Sequence, residues 1–257
     1  MKFLICHFLV LATGALSVKI KPRICGGINA KPADFRFTVR IETKKNYKNN
    51  KGGLCGGSVI HNNWILTAAH CFQDVTIARV FLSFNMNYVY TKVVYATEII
   101  THESFIHNET HLMYDIALVR IPTIVYGKYI QSIQLSHELR LRDGQIIIVA
   151  GWGLTGNSLF LPTKLQYTAL RVLRQIECIE EFGDHFLDNQ FCTFHSARKT
   201  CPGDSGNPAI IQRFNFIPMQ VGVVSYGFTN CSSHSSSAYS LVAPFLPWIE
   251  RKTDLIY

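Results

Sequence analysis

Apolar residues in this chain come in short bursts rather than at helical spacing. Runs rich in Val, Ile, Phe, Tyr and Thr recur at Phe37–Ile41, Ser58–Ile60, Ala78–Phe84, Tyr88–Ala96, Ile146–Ala150, Ala209–Ile211 and Met219–Ser225, with turn-forming segments between them. Short β-branched and aromatic runs of this kind predict an all-β sandwich or barrel. Only the tail, Val242–Ile256, places apolar residues at helical spacing, at Phe245, Trp248, Ile249 and Leu255, with Pro247 suited to a first helical turn. No internal repeat stands out, and the one biased tract is the Ser-rich stretch 232–237.

The first residues have a different pattern. Lys2 precedes an almost unbroken apolar run, Phe3 to Ala12, and small residues follow, with Ala15 and Ser17 placed for cleavage after Ser17. This is the layout of a secretory signal, and the run is too short to span a membrane. The expectation is a secreted, extracellular protein with no membrane partner. Cleavage leaves about 240 residues, enough for one large or two small cores. The net charge of +8 is inflated by the start of the chain. Residues 1–23 hold Lys2, Lys19, Lys21 and Arg23 and no acid, so 21 basic residues face 17 acidic ones beyond them, a net +4. That is ordinary solubility and argues against a nucleic-acid partner. The cluster Lys44, Lys45, Lys48 and Lys51 reads as a solvated loop.

Of the eight cysteines, Cys6 leaves with the signal. Cys55, Cys71, Cys178, Cys192, Cys201 and Cys231 suffice for three bridges in an oxidising compartment, with Cys25 left as a small apolar thiol. No CxxC pair is present, so a zinc site has no support, and residues 80–92 lack the carboxylates of a calcium loop. No metal or cofactor is expected.

Three segments carry the chemistry: TAAHC at 67–71, DIAL at 115–118 and GDSG at 203–206. They supply His70, Asp115 and Ser205, the side chains that turn a hydroxyl into a nucleophile at neutral pH. Each alone has a structural explanation: a satisfied histidine, a turn-capping aspartate, a loop serine. Together and in this order they resemble the chymotrypsin family of serine proteases, from Ile24 to about Trp248. The resemblance implies two packed antiparallel six-stranded β-barrels, their boundary near residue 135, and a C-terminal helix. Catalytic groups would lie in the cleft between the barrels. It gives Ser205 the role of nucleophile, His70 of general base and Asp115 of imidazole orienter, with the Gly203 and Ser205 N–H groups as oxyanion hole. Ser225, Tyr226 and Gly227 match the family's Ser-Trp-Gly beside the substrate. The implied bridges are Cys55–Cys71, Cys178–Cys192 and Cys201–Cys231.

The same resemblance implies a zymogen. Lys-Pro-Arg at 21–23 precedes Ile24–Cys25–Gly26–Gly27. Cleavage after Arg23 by a trypsin-like enzyme would remove the propeptide Val18–Arg23 and let the new Ile24 ammonium pair with Asp204. Partners are then a polypeptide substrate, the activating protease and protein protease inhibitors. Asn108–Glu–Thr110 is an expected glycosylation sequon.

The chain departs from the family at its substrate pocket. Lys199 stands six residues before the nucleophile, where trypsin-like members carry Asp and chymotrypsin-like members a small residue. No acid lies in 193–203 or 225–240, and Asp204 is committed to Ile24, so the sequence offers Lys199 no local partner. Ser237 replaces a pocket glycine, and Asn207 the second glycine of Gly-Asp-Ser-Gly-Gly-Pro. Three readings stay open. Lys199 pairs with an acidic substrate side chain, or folds away to solvent, or the pocket is blocked. Cleavage after Arg or Lys is the reading these residues oppose. Function likewise has an alternative, a weak or inactive homologue acting as a binding or regulatory protein. An α/β-hydrolase is excluded by motif order.

Overall fold

The computed structural model describes residues 27–31, 33–45, 52–82, 92–108, 112–154, 161–183, 186–196, 198–212, 217–227 and 235–257. In the first half the strands are β1 (Ile28–Asn29), β2 (Thr38–Lys44), β3 (Gly52–His61), β4 (Trp64–Thr67), β5 (Ile77–Leu82), β6 (Lys92–Tyr95), β7 (Glu98–Thr101), β8 (Ile106–His107), β9 (Leu112–Met113) and β10 (Ala117–Arg120). The second half adds β11 (Gln134–Leu135), β12 (Ile146–Gly151), β13 (Gln166–Val172), β14 (Gln190–Phe194), β15 (Pro208–Gln212), β16 (Pro218–Gly227) and β17 (Ser237–Leu241). Helices are α1 (Gln175–Phe182) and α2 (Leu246–Thr253).

In the second half, β13-β12-β15-β16-β17-β14 run in that order, and β14 pairs back onto β13 to close a six-strand barrel. In the first half, β6-β5-β2-β3-β4-β10-β7 form an antiparallel sheet that stays open among the described residues. The expected pair of barrels is thus one closed barrel and one curled sheet. Strand period explains the inward faces. On β5, Ala78, Val80 and Leu82 are buried while Ile77, Arg79 and Phe81 are half-buried. Burying each Val or Leu side chain is worth roughly 1.5–3 kcal/mol. The expected runs at 83–84 and 88–91 lie outside the described residues.

The tail forms a 3-10 turn, Ala243–Phe245, and then α2. Pro247 occupies the first turn as expected, and Leu246, Trp248 and Ile249 turn inward. The helix ends where Asp254 adopts φ 57, with Arg251 and Lys252 favourably placed in the last turn.

The two halves are joined through one core. Val59, Leu66 and Leu118 of the first sheet belong to the same buried cluster as Trp152, Ile210 and Val223 of the barrel. Polar bonds cross the seam beside the cleft. The Gly56 N–H donates to the Ser205 carbonyl at 2.7 Å, Ser58 Oγ to Gln220 Oε1 at 2.6 Å, and Gln190 Nε2 to the Leu112 carbonyl at 3.1 Å. Disulfides Cys55–Cys71 and Cys178–Cys192 are both formed. Closing loops of this size stabilises by about 3 kcal/mol each. Cys201 is buried, and its expected partner Cys231 lies outside the described residues.

Candidate active site

His70 sits in a 3-10 turn, Ala69–Phe72, directly after β4, and the Cys55–Cys71 bridge ties that turn to β3. Asp115 precedes β10, which is hydrogen-bonded to β4, so the two residues arrive side by side from adjacent strands. Asp115 is fully buried, and its carboxylate accepts from the His70 backbone N–H at 2.9 Å and from His70 Nδ1 at 2.7 Å. Ser225 Oγ on β16 donates to the same carboxylate, and Ser240 Oγ on β17 donates to the Asp115 carbonyl at 2.8 Å. Ser240 carries no motif and was invisible in the sequence.

Burial alone would raise the Asp115 carboxyl. The His70 charge and the converging hydrogen bonds outweigh it and hold the group below the usual carboxylate range. The imidazole shows the mirror effect: burial pulls it down, but Asp115 lifts it above its ordinary value of 6.5. With Asp115 ionised, Nδ1 carries the proton, which leaves Nε2 as the basic nitrogen.

His70 and Ser205 line the same cavity of about 270 Å³, together with Thr200, Pro202, Val224, Ser225, Tyr226 and Gly227. Gly203, beside Ser205, adopts φ +95, a backbone state that strains any L side chain. A Cβ there would also sit 3.2 Å from Gly153 Cα and Leu54 Cδ2. His107 and Leu112 border the cavity from the first half. The sequence reading missed both, since nothing local marks them. Tyr226 packs edge-on against Phe182 of α1, with centroids 5.2 Å apart, and burial pushes its phenol up to about 12.

Asp204 is fully buried and accepts N–H bonds from Gly153 and Cys201, each at 2.9 Å. Burial raises its carboxyl to about 6 against those two bonds. Arg23 and Ile24, expected to engage it, lie outside the described residues. Asn207 is completely buried in a niche left by two glycines: a Cβ on Gly56 would lie 1.8 Å from its Oδ1, and one on Gly151 2.3 Å from its Nδ2. The larger residue at 207 is thereby accommodated.

The substrate-pocket residues divide into two groups. Ser225, Tyr226 and Gly227 line the cavity, whereas Lys199 and Ser237 do not border it among the described residues. Lys199 is buried rather than turned to solvent, and it does have a local partner: Nζ donates to Ser235 Oγ at 2.8 Å. The partner was hidden because it is a hydroxyl in the Ser-rich stretch and not an acid. Ser237 is also buried, and its Oγ accepts from Thr200 Oγ1 at 2.8 Å. Asn108 is exposed on the surface.

The trypsin family model matches residues 24–249. A collagenase of Hypoderma lineatum is 30% identical over 270 residues, covering 100% of both chains. Serine protease 1 of Drosophila melanogaster is 32% identical over 245 residues, 93% of this chain and 88% of its own. The solved structure of HL collagenase superimposes with a TM-score of 0.79 at 30% identity, covering 90% of this chain and 99% of that one. The chain belongs to the trypsin family. It is a serine endopeptidase, a hydrolase of polypeptide substrates.

Proposed function

We propose that this protein is a secreted zymogen that, once cut after Arg23, hydrolyses peptide bonds through Ser205, His70 and Asp115. The observation that carries this reading is the Asp115 carboxylate, which takes both the backbone and ring donors of His70 beside the cavity holding Ser205. Nε2 accepts the Ser205 proton as Oγ attacks the scissile carbonyl, and the ionised Asp115 stabilises the imidazolium. The N–H groups of Gly203 and Ser205 receive the oxyanion, and a missing donor of this kind typically lowers the rate by about 100- to 1000-fold. The imidazolium then protonates the leaving amine, and water repeats the sequence on the acyl-enzyme.

Activation rests on Asp204, a buried acid next to the nucleophile that accepts from the neutral N–H groups of Gly153 and Cys201. The Ile24 ammonium pairs with this carboxylate and orders the Gly203 segment. The leader 1–17 directs secretion, and Asn108 is the glycan acceptor.

A fluorophosphonate probe tests the reading. Before cleavage after Arg23 the protein should label weakly, and afterwards stoichiometrically on Ser205, with a new N-terminus at Ile24. A processed protein that does not label is a binding homologue and refutes the proposal.

A further inference from the structure

We propose that the substrate pocket of this chain is short and closed, and takes small uncharged side chains on the residue before the cut. The closure is made by Thr200, held by the buried hydroxyl of Ser237, with Lys199 buried away from the cavity. The inference rests on the catalytic reading above and adds the substrate class.

Ser235, Ser236 and Ser237 are buried, and each is held by a different partner. Ser235 Oγ accepts from Lys199 Nζ at 2.8 Å. The Ser236 N–H donates to Glu181 Oε1 at 2.8 Å, and its Oγ to Glu181 Oε2, so a carboxylate from α1 grips the middle residue twice. Ser237 Oγ accepts from Thr200 Oγ1 at 2.8 Å. Ser237 is also the first residue of β17, paired with Gly227 on one side and Thr193 on the other. A backing fixed at three successive positions and built into the closed barrel keeps Thr200 from retreating before a large side chain. The Tyr239 hydroxyl, bonded to Thr193 Oγ1 at 3.1 Å, backs the same point.

Lys199 and Ser237 are 4% and 2% exposed, and among the described residues the cavity is bordered by Thr200 and by neither of them. The ammonium therefore does not meet substrate. An acidic side chain would reach the hydroxyl pair and lose its water without gaining the charge behind it. A basic one would lose its water in the same way, against hydroxyls that carry no charge. An aromatic one would collide with Thr200, which is held by the Ser237 hydroxyl. Ala, Val, Ser and Thr are what remain.

The experiment uses the processed full chain and a panel of peptide amides differing only in the residue before the cut: Ala, Val, Leu, Phe, Glu and Arg. Ser205 labelling is measured alongside, so failure of the catalytic reading (no label) is separate from failure of this one (label with another profile). We expect Ala and Val to lead in kcat/KM, with steps of about 10- to 200-fold as side-chain size mismatches the pocket. Ser237→Gly should open the way to Lys199 and raise cleavage after Glu relative to Ala by at least about tenfold. Thr200→Ala, which removes the other half of the closure, should extend the profile towards Leu and serves if the glycine variant does not fold. Wild-type preference for Phe, Glu or Arg overturns the proposal, as does an unchanged profile in both variants.

Discussion

Replacing Ser205 by alanine in the processed protein is expected to lower kcat by about a million-fold and to abolish probe labelling, with the fold intact. His70→Ala should cost about as much, and the double variant no more than either single one, because the residues act as one unit. The magnitude is that of triads of this type; the geometry supplies the reason for the coupling. Asp115 accepts both donors of His70, so the ring is held in a single orientation with Nε2 left as the base. Without the hydroxyl the base has nothing to deprotonate. Without the ring the hydroxyl keeps its proton. Residual turnover of about 10^3- to 10^4-fold over water should survive from the oxyanion donors and substrate binding. Amide hydrolysis by the single and double variants checks this, and additive losses would show that the residues do not cooperate.

Asp204→Asn is expected to have opposite signs before and after processing. In the folded chain burial raises the Asp204 carboxyl from 3.8 to about 6. An acid raised in this way binds more protons folded than unfolded between about pH 4 and 6. Stability therefore falls as pH rises through that window, and the penalty is complete above it. Two pKa units correspond to roughly 3 kcal/mol. In the unprocessed protein, asparagine removes the penalty, so denaturant melts at pH 7 should show a gain on the order of 1–3 kcal/mol. The slope between pH 4 and 6 should flatten. In the processed protein the same change strands the Ile24 ammonium in a buried site, which costs roughly 3–5 kcal/mol and disorders the oxyanion loop. Melts of the two forms that shift in the same direction would refute the Ile24–Asp204 pair.

Much of this was legible in the sequence because chemistry and strand period both leave local marks. TAAHC, DIAL and GDSG announced themselves, and apolar runs such as Ile146–Ala150 became β12. β13 was not legible, because Gln166 and Thr168 are buried polar residues that break the apolar alternation. Helix α1 was missed because its apolar face is short: Ile179 and Phe182 pack beside Cys178, and only Cys178 is fully buried. Its fold is secured instead by the disulfide to Cys192 and by Glu177, whose carboxylate caps the Arg174 N–H at 2.9 Å. The pocket was least legible of all. Glu181 reaches Ser236 across 55 positions and Lys199 reaches Ser235 across 36, pairings of ordinary polar residues that no spacing rule announces.

The most direct test of the account is the rate of Ser205 phosphonylation in the processed protein as a function of pH. The base must be neutral imidazole, and Asp115 raises the His70 ring above 6.5, so the ring is protonated and inactive below that point. The rate should rise with pH through one ionisation lying above 6.5, and His70→Ala should leave it flat and very slow. A rate on Ser205 that is independent of pH, or that survives loss of His70, would contradict the pairing of hydroxyl and imidazole on which the mechanism stands.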